Sequence, residues 1–357
     1  MGVTIKDVAK EAGVSSSTVS RVISDSPMIS ERTKRKVRQI MDDMGFHINE
    51  NARNLVRQST NTIGIVMKSS ASESLHDPFF PEVLRGISSW CHKQDFSISL
   101  TTGESEEAIF QDVVKMVRGK KVDGIIVSYS KQDDKVVPYL MECGIPFVVI
   151  GKPLDGMSEI TYIDNDNVKA AREASEYLIE RGHDKIGYIG MSLEFEMAKY
   201  RLQGFKEAVL LNQVDISDEY IKNPASPDLI RNAVNELMDL DMPPTGIVII
   251  DDLSALNALT ILREKDIKVP DDVSVISFNN TVIANFSNPK LTSIDTQIFQ
   301  LGYESARCLI EEIKDPSLFK KSIIIPTNIV ERESALSLTN KDLGHIPNTD
   351  VEKNVEV

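Results

Sequence analysis

Apolar residues recur at helical spacing three times within the first 45 residues of the chain. Gly13 separates the first two series, and glycine ends a helix readily because it adopts positive φ at little cost. Thr4 and Ser15 precede these series and suit helix N-caps, since their hydroxyls accept hydrogen bonds from the first backbone amides. The pattern predicts helices over residues 5–12 and 16–23 with a short turn between them, which is a helix-turn-helix.

A third amphipathic series predicts a helix that Ser30 caps and Gly45 ends. We expect its outer face to be basic, with the side chains Arg32, Lys34, Arg35, Lys36 and Arg38. Residues 49–57 form a further short segment, in which Ala52 and Leu55 are three positions apart. That segment is too short to be stable as an isolated helix in water.

From Thr62 onward, short apolar runs alternate with amphipathic helical stretches. The apolar runs are 63–67, 98–101, 124–127, 147–150, 186–189, 247–250 and 273–277, and the helical stretches include 80–93, 106–118, 168–181 and 254–265. Apolar strands that alternate with helices indicate parallel sheets covered on both faces. The pattern predicts two doubly wound α/β lobes, and such sheets bind ligands beyond the carboxyl ends of their strands, here between the lobes.

Charge is distributed unevenly along the 357 residues, whose formal net charge is −14. Residues 1–58 hold ten Lys/Arg and seven Asp/Glu, a net charge of +3, so the remainder carries −17. Phosphate is therefore attracted by the N-terminal module and repelled by the acidic body. We expect the helix-turn-helix module to bind nucleic acid.

The second predicted helix has the chemistry of a DNA-reading helix. Its short hydroxyl side chains are Ser16, Ser17, Thr18 and Ser20, and Arg21 is its one long side chain. Short side chains let a helix lie deep in the major groove, where hydroxyls reach phosphates or base edges and an arginine pairs with guanine. The alternative is a serine-rich surface helix with a solvated arginine, and the composition of this helix alone leaves both open.

Several observations argue against other classes of protein. No apolar run approaches the roughly 18 residues of a membrane span, and the first residues lack the apolar core of a signal peptide. The cysteines, Cys91, Cys143 and Cys308, form no CxxC pair, which favours a reducing, cytoplasmic setting. The histidines are scattered without metal-ligand spacing: His47, His76, His92, His183 and His345. His183 suits a capping role at a helix end, and we expect no catalysis, metal or cofactor.

The run VTIKDVAKEAGVSSSTVSRV, residues 3–22, closely resembles the headpiece of the lactose/galactose repressor (LacI/GalR) family. The similarity continues through residues 49–55 and across the body to about residue 335. It implies an all-α helix-turn-helix headpiece over 1–58, with a hinge helix at about 49–57 that folds on DNA. It also implies a two-lobed, periplasmic-binding-protein-like effector and dimerisation domain over 62–337. A polar tail, 338–357, lacks leucine heptads, which favours a homodimer over a coiled-coil tetramer.

The resemblance also implies how the chain passes between the lobes. It places three crossings near Ile163, Ser293 and Pro326. One lobe then comprises 62–163 with 294–325, and the other comprises 164–293 with 326–337.

The resemblance assigns roles in operator binding to individual headpiece residues. Ser16, Ser17 and Arg21 occupy base-reading positions, and Leu55, with Ala52 beside it, occupies the place of a leucine that wedges into the minor groove. Two copies in a dimer would read a pseudo-palindrome in double-stranded operator DNA. The full candidate set is Thr4, Ser15, Ser16, Ser17, Thr18, Ser20, Arg21, Asn49, Ala52, Arg53 and Leu55.

For the effector, a sugar site needs planar hydrogen-bonding groups and an aromatic face. By resemblance, Arg201 matches an effector-binding arginine, and Asp251 and Asn279 match contact positions. The first lobe adds four candidates: Asp77, Phe79, Phe80 and Ser128. Other interpretations stay open: a helix salt bridge for Arg201, core or dimer contacts for the two phenylalanines, and a helix cap for Asp251.

Three shorter motifs, IGKP at 150–153, YIDNDN at 162–167 and SFNN at 277–280, resemble those of Gram-positive maltose-operon repressors. They imply a repressor that maltose or a related α-glucoside releases from its operator. Two alternatives stay open. One is a global carbon-catabolite regulator with a protein corepressor, and the other is a solute-binding protein, against which the headpiece argues.

Overall fold

The computed structural model describes residues 3–46, 59–67, 76–154 and 158–337. The chain divides into two compact units, residues 1–60 and 61–357. The smaller unit is the predicted all-α headpiece. The larger unit is the predicted two-lobed α/β body.

The headpiece consists of three helices, α1 (Ile5–Ala12), α2 (Ser16–Ile23) and α3 (Glu31–Asp43). The first two have the predicted bounds, and Gly13 adopts the expected left-handed conformation, with φ of 66°. All three helices contribute to one small core, formed by Val8, Ala9, Ala12, Val19, Val22, Val37 and Met41. The helix-turn-helix that the apolar pattern predicts is therefore confirmed.

The described elements of the body alternate between strands and helices. The first stretch contains β1 (Thr62–Val66), α4 (Phe79–Gln94), β2 (Ser97–Leu100), α5 (Glu106–Arg118), β3 (Gly124–Val127), α6 (Val136–Cys143), β4 (Phe147–Ile150) and β5 (Thr161–Asn165). The middle stretch contains α7 (Asn167–Glu180), β6 (Ile186–Ile189), α8 (Glu196–Leu211), β7 (Ile221–Lys222), α9 (Ile230–Met238), β8 (Gly246–Ile249), α10 (Asp252–Glu264), β9 (Ser274–Phe278), α11 (Val282–Phe286) and β10 (Thr292–Asp295). The last stretch contains α12 (Ile298–Lys314), β11 (Ser322–Ile325) and β12 (Asn328–Val330). Short 3₁₀ turns lie at Asp218–Tyr220 and Pro227–Leu229.

The strands form two sheets of six, one in each lobe. The first has the order β11-β5-β4-β3-β1-β2, and all its described pairings are parallel. The second has the order β12-β10-β9-β8-β6-β7, in which β12 alone pairs antiparallel. Helices pack on both faces of each sheet, which accounts for the almost uniformly apolar strands. The predicted pair of doubly wound lobes is confirmed.

The chain crosses between the lobes three times, at residues 165–167, 295–298 and 325–328. The first two crossings lie about two residues beyond the predicted boundaries. Asp164 and Asn165 still pair with β11 in the first sheet. Ile294 and Asp295 still pair with β12 in the second sheet. Pairing with neighbouring strands decides these boundaries, and that pairing cannot be predicted from the sequence of one strand.

Helices α4 and α12 of the first lobe approach each other more closely than ordinary side chains allow. A Cβ atom on Gly86 would lie 2.1 Å from the carbonyl oxygen of Phe299. A Cβ atom on Gly302 would likewise lie 2.1 Å from the carbonyl oxygen of Val83. Both glycines are therefore required by backbone contact between the helices rather than by their own conformational freedom.

Gly86→Ala should destabilise the first lobe by about 2 kcal/mol, because overpacking outweighs the roughly 1 kcal/mol that alanine gains over glycine inside a helix. Urea unfolding followed by the fluorescence of Trp90 measures this, since the chain has one tryptophan and it lies on α4. Ser88→Ala, at an exposed position of the same helix, is the control and should change the stability by less than about 0.5 kcal/mol. An unfolding midpoint in Gly86→Ala at or above that of the wild type would contradict the close packing.

Candidate functional site

Helix α2 presents a polar outer face. Ser16, Ser20 and Arg21 are exposed, while Val19 and Val22 on the opposite side are buried. The apolar residues anchor the helix, so the exposed ones are held outward on a fixed surface. A small-residue face with one arginine is therefore what the headpiece offers to a partner.

The remaining hydroxyls of this region are used in helix caps. The Ser15 hydroxyl oxygen accepts a hydrogen bond from the Thr18 amide at 3.1 Å and lies 2.8 Å from the Ser17 hydroxyl. The amide and the hydroxyl of Thr4 both donate to the Asp7 carboxylate, at 2.9 and 2.7 Å. Thr4 and Ser15 therefore cap the starts of α1 and α2. The hinge candidates Asn49, Ala52, Arg53 and Leu55 lie outside the described residues.

The prediction that α3 carries five outward cations is wrong for Lys34. Its side chain is buried, and its ammonium lies 3.0 Å from carboxylate oxygens of both Asp25 and Glu31. Lys36 donates to the carbonyl of Ala12 at 2.9 Å, and Arg38 pairs with Asp25. These lysines and arginines hold the helices together, so part of the positive charge of the headpiece is neutralised internally.

In the body, the carboxyl ends of the strands from both lobes lie on either side of one cleft. The loop after β3 contacts the loop before α8 across it. The Gln132 amide donates to the Glu194 carbonyl at 2.8 Å, and the Glu196 amide donates to the Ser130 carbonyl at 3.1 Å. The ammonium of Lys152 also lies 5.3 Å from the centre of the Tyr200 ring. The two lobes are thus in direct contact at this edge of the cleft.

Arg201 is the central charged group of the second lobe. Its guanidinium is buried, donates from Nε to the Asn167 side-chain oxygen at 3.0 Å and from a terminal nitrogen to the Ile250 carbonyl at 2.5 Å. Its central carbon lies 4.2 Å from the centre of the Phe278 ring. Burial lowers its pKa to about 10, so it stays charged at neutral pH. Among the described residues, no carboxylate lies within ion-pair distance of the Arg201 guanidinium, which argues against a simple helix salt bridge.

Asp164 and Asn167 lie beside this arginine, and sequence reasoning did not single them out. The Asp164 carboxylate is buried and accepts hydrogen bonds from the Asn165 amide at 2.7 Å, the Asn167 side chain at 3.0 Å and the Lys152 amide at 3.0 Å. Burial raises the pKa of Asp164 to about 6, although these donors oppose the shift. The polar run YIDNDN at the end of a strand was the available signal.

Two other candidates end strands of the second sheet. Asp251 caps α10, because its carboxylate accepts the Ser254 amide at 2.7 Å. The structure thus supports the cap that the sequence left open. Asn279 has a φ of 98°, and its side-chain oxygen accepts from the Thr296 hydroxyl at 3.3 Å.

Asp252 was not predicted, although it is among the most buried carboxylates of the body. It accepts the Ser277 hydroxyl at 2.6 Å, the Ser293 hydroxyl at 2.7 Å and the Thr281 amide at 2.6 Å. These bonds hold the loop that carries Asn279 against β10. Asp252 therefore supports the site without facing it.

The first-lobe candidates serve mainly structural contacts. Phe80 is buried in the core of the lobe, and Phe79 packs against the same core. The Asp77 carboxylate accepts the Phe79 amide at 3.0 Å at the start of α4. The Ser128 hydroxyl donates to the Val66 carbonyl at 2.8 Å, which joins two neighbouring strands. Of the predicted effector set, Asp251 and Asn279 follow strands β8 and β9 of the second lobe, Ser128 follows β3 of the first, and Arg201 lies on α8.

Other groups with possible chemistry are placed as follows. His183 is buried, with Nδ1 3.0 Å from the Thr245 hydroxyl and Nε2 3.2 Å from the Leu336 carbonyl, so it joins the strand ends of the second lobe. Within the described ranges, no three His, Cys, Asp or Glu side chains are grouped as metal ligands. The same ranges contain no helix that combines the length and apolar character of a membrane span.

Two family models match the chain. One, described as bacterial regulatory proteins of the lacI family, matches residues 4–49. The other, described as a periplasmic binding protein-like domain, matches residues 175–335. These matches coincide with the headpiece and with much of the second lobe.

Relatives resemble the chain over almost its whole length. The HTH-type transcriptional regulator MalR of Staphylococcus xylosus is 36% identical over 337 residues, 94% of this chain and 99% of the relative. MalR of Streptococcus pneumoniae (TIGR4) is 35% identical over 325 residues, 88% of this chain and 94% of the relative. A solved complex of the transcriptional regulator CelR with cellobiose has a TM-score of 0.73 and 28% identity, covering 93% of this chain and 100% of that one.

The raised pKa of Asp164 predicts a pH dependence of stability. Because the pKa is higher in the folded chain than the ordinary value of 3.8, the stabilisation from protonation is lost as the pH rises through about 6. The free energy of unfolding of the wild type, relative to Asp164→Asn, should fall by roughly 1 kcal/mol between about pH 5.5 and 7.5. Urea titrations across this range measure it.

The matched control is Ser175→Ala, which removes a buried hydroxyl that donates to the Ala171 carbonyl within α7 and does not titrate. Its stability should run parallel to that of the wild type over the same pH range. Parallel curves for wild type and Asp164→Asn would show instead that Asp164 is ionised throughout.

Proposed function

The chain belongs to the lacI family of bacterial regulatory proteins, and from this premise we propose that it is a repressor of carbohydrate-utilisation genes that a sugar releases from its operator. The headpiece binds duplex DNA, and the body holds the sugar between its lobes. The observation that carries this proposal is the exposed face of α2, with small hydroxyl residues around Arg21 on a firmly packed helix. Such a face fits the major groove, where an arginine can donate two hydrogen bonds to guanine.

We further propose that the working form is a homodimer. Helix α11 exposes two large apolar side chains, Val282 and Phe286, which are 66% and 87% exposed. Covering them with the same surface of a second copy removes apolar area from water. A symmetric pair of headpieces then reads the two halves of a pseudo-palindromic operator, about one helical turn apart.

The sugar is assigned to maltose or a related α-glucoside, on the strength of the three motifs at 150–153, 162–167 and 277–280, together with the similarity to the two MalR relatives. The cleft offers Arg201 as a planar donor, with Asp251 and Asn279 at neighbouring strand ends. Arginine and carboxylate side chains suit vicinal hydroxyl groups, which present paired donors and acceptors. The protein acts where the genome is, so we place it in the cytoplasm.

Arg21→Ala should weaken binding to the selected operator by about 1–3 kcal/mol and relax the base preference at one position of each half-site. The operator is obtained by sequencing the duplexes that the full chain retains from a randomised library. Arg35→Ala, an exposed arginine of α3, is the charge-matched control and should weaken all duplexes about equally. If Arg21→Ala also weakened every duplex equally, Arg21 would be a phosphate contact and the base-reading role would be lost.

Maltose should lower the affinity of the full chain for its selected duplex, with a coupling of about 5–150-fold. Arg201→Lys should keep duplex binding without sugar but lose the response, because lysine cannot reproduce the two fixed hydrogen bonds of the guanidinium. Fluorescence anisotropy of a labelled duplex measures both. An unchanged affinity at saturating maltose removes the maltose assignment, and a response to an added protein fraction instead favours a corepressor.

A further inference from the structure

One side-chain amide joins all three crossings between the lobes. Asn165, the last residue of β5, lies at the first crossing and is buried. Its side-chain nitrogen donates to the carbonyl of Thr296, at the second crossing, at 3.1 Å. The same nitrogen donates to the carbonyl of Ile325, at the third crossing, at 3.0 Å. Both N–H groups of one amide therefore hold the two other chain segments in place.

A second contact reinforces this junction. The side-chain nitrogen of Gln297 donates to the carbonyl of Pro326 at 2.8 Å, which joins the second crossing to the third. Gln297 itself has a φ of 50°, in the left-handed region that costs energy for a residue other than glycine. The crossings are thus held as one hydrogen-bonded unit rather than as three independent strands of chain.

The junction is connected to Arg201 through the backbone of Asn165 and a series of buried hydrogen bonds. The Asp164 carboxylate accepts a hydrogen bond from the backbone N–H of Asn165 at 2.7 Å and from the side-chain nitrogen of Asn167 at 3.0 Å. Asn167 in turn accepts from Nε of Arg201 at 3.0 Å. The amide of Asn167 is therefore fully oriented, because its nitrogen faces a carboxylate and its oxygen faces a guanidinium.

Asn279 approaches the junction from the other side. Its side-chain oxygen accepts from the hydroxyl of Thr296, the residue whose carbonyl Asn165 holds. Arg201 and Asn279 thus each lie one hydrogen bond from a crossing, through Asn167 and Thr296 respectively. In a buried network each bond polarises the next, and an unpaired member is costly, so a shift at one end is passed along.

We propose that Asn165 and Asn167 are positioning residues that couple the contacts of Arg201 to the angle between the lobes. Asn165 clamps the three crossings, and Asn167 transmits the position of the guanidinium to that clamp through Asp164. A sugar that forms new hydrogen bonds with Arg201 changes the hydrogen bond between Arg201 and Asn167. That change alters the backbone conformation of the crossings. This role rests on the proposed function, since it takes Arg201 as the sugar contact.

The connection can be tested without any sugar, by amide hydrogen exchange of the full chain. Asn165→Ala should raise exchange about tenfold in peptides that contain residues 295–298 and 325–328, because both clamping bonds are lost. Arg201→Lys should raise exchange in the same peptides, although among the described residues its side chain contacts neither of these two crossings and bonds only to Asn167 of the first. Ser175→Ala, which removes a buried hydrogen bond internal to α7, should leave these peptides unchanged. Unchanged exchange at the crossings in Arg201→Lys overturns the proposal.

A second measurement separates positioning from mere support of the fold. Asn165→Ala should bind maltose and, without sugar, the selected duplex within about threefold of the wild type, yet the effect of each on the other should fall at least fivefold. Wild-type coupling in this variant overturns the proposal. If the wild type itself does not respond to maltose, the sugar assignment fails, and the exchange result of Arg201→Lys alone decides whether the connection exists.

Discussion

Parallel strands bring all their carboxyl ends to the same edge of a sheet, and the body of this protein depends on that constraint. Asp251 and Asn279 follow neighbouring strands of the second sheet, and Asn165 ends a strand of the first. The chain must leave each sheet at such ends, so the crossings and the polar groups share one region. A site for a polar ligand and the hinge of the two lobes are therefore neighbours by construction.

Burial decides which polar groups of that region can contact a ligand and which serve only to stabilise the fold. Arg201 and Asp164 are both buried, and a buried charge is tolerated only when hydrogen bonds replace its water. The headpiece follows the same rule on a smaller scale, because buried Lys34 is retained by two carboxylates and so adds nothing to the outer charge.

Periodicity located most of the elements. The helices 5–12 and 16–23 have the predicted bounds, and the seven predicted apolar runs lie within one residue of strands, because apolar runs and caps are local signals. The strands β5, β7, β10, β11 and β12 were not among those runs. Site residues were predicted unevenly. Arg201 is buried in the second lobe, Phe80 lies in the core of the first, and Asp164 and Asn165 were not among the predicted site residues. The side chain of Asn165 bonds to residues 131 and 160 positions away, which no local pattern contains.

The sequence by itself determined the two kinds of unit, the doubly wound lobes and the small polar face of α2. These follow from spacing, capping and composition, all of which act over a few residues. Only the tertiary structure decided where the crossings lie, which cations of α3 face inward and which amide joins the three chain segments. Those outcomes depend on pairing and burial between distant parts of the chain. The free energy of a polar group there is set by neighbours that are far from it in the sequence.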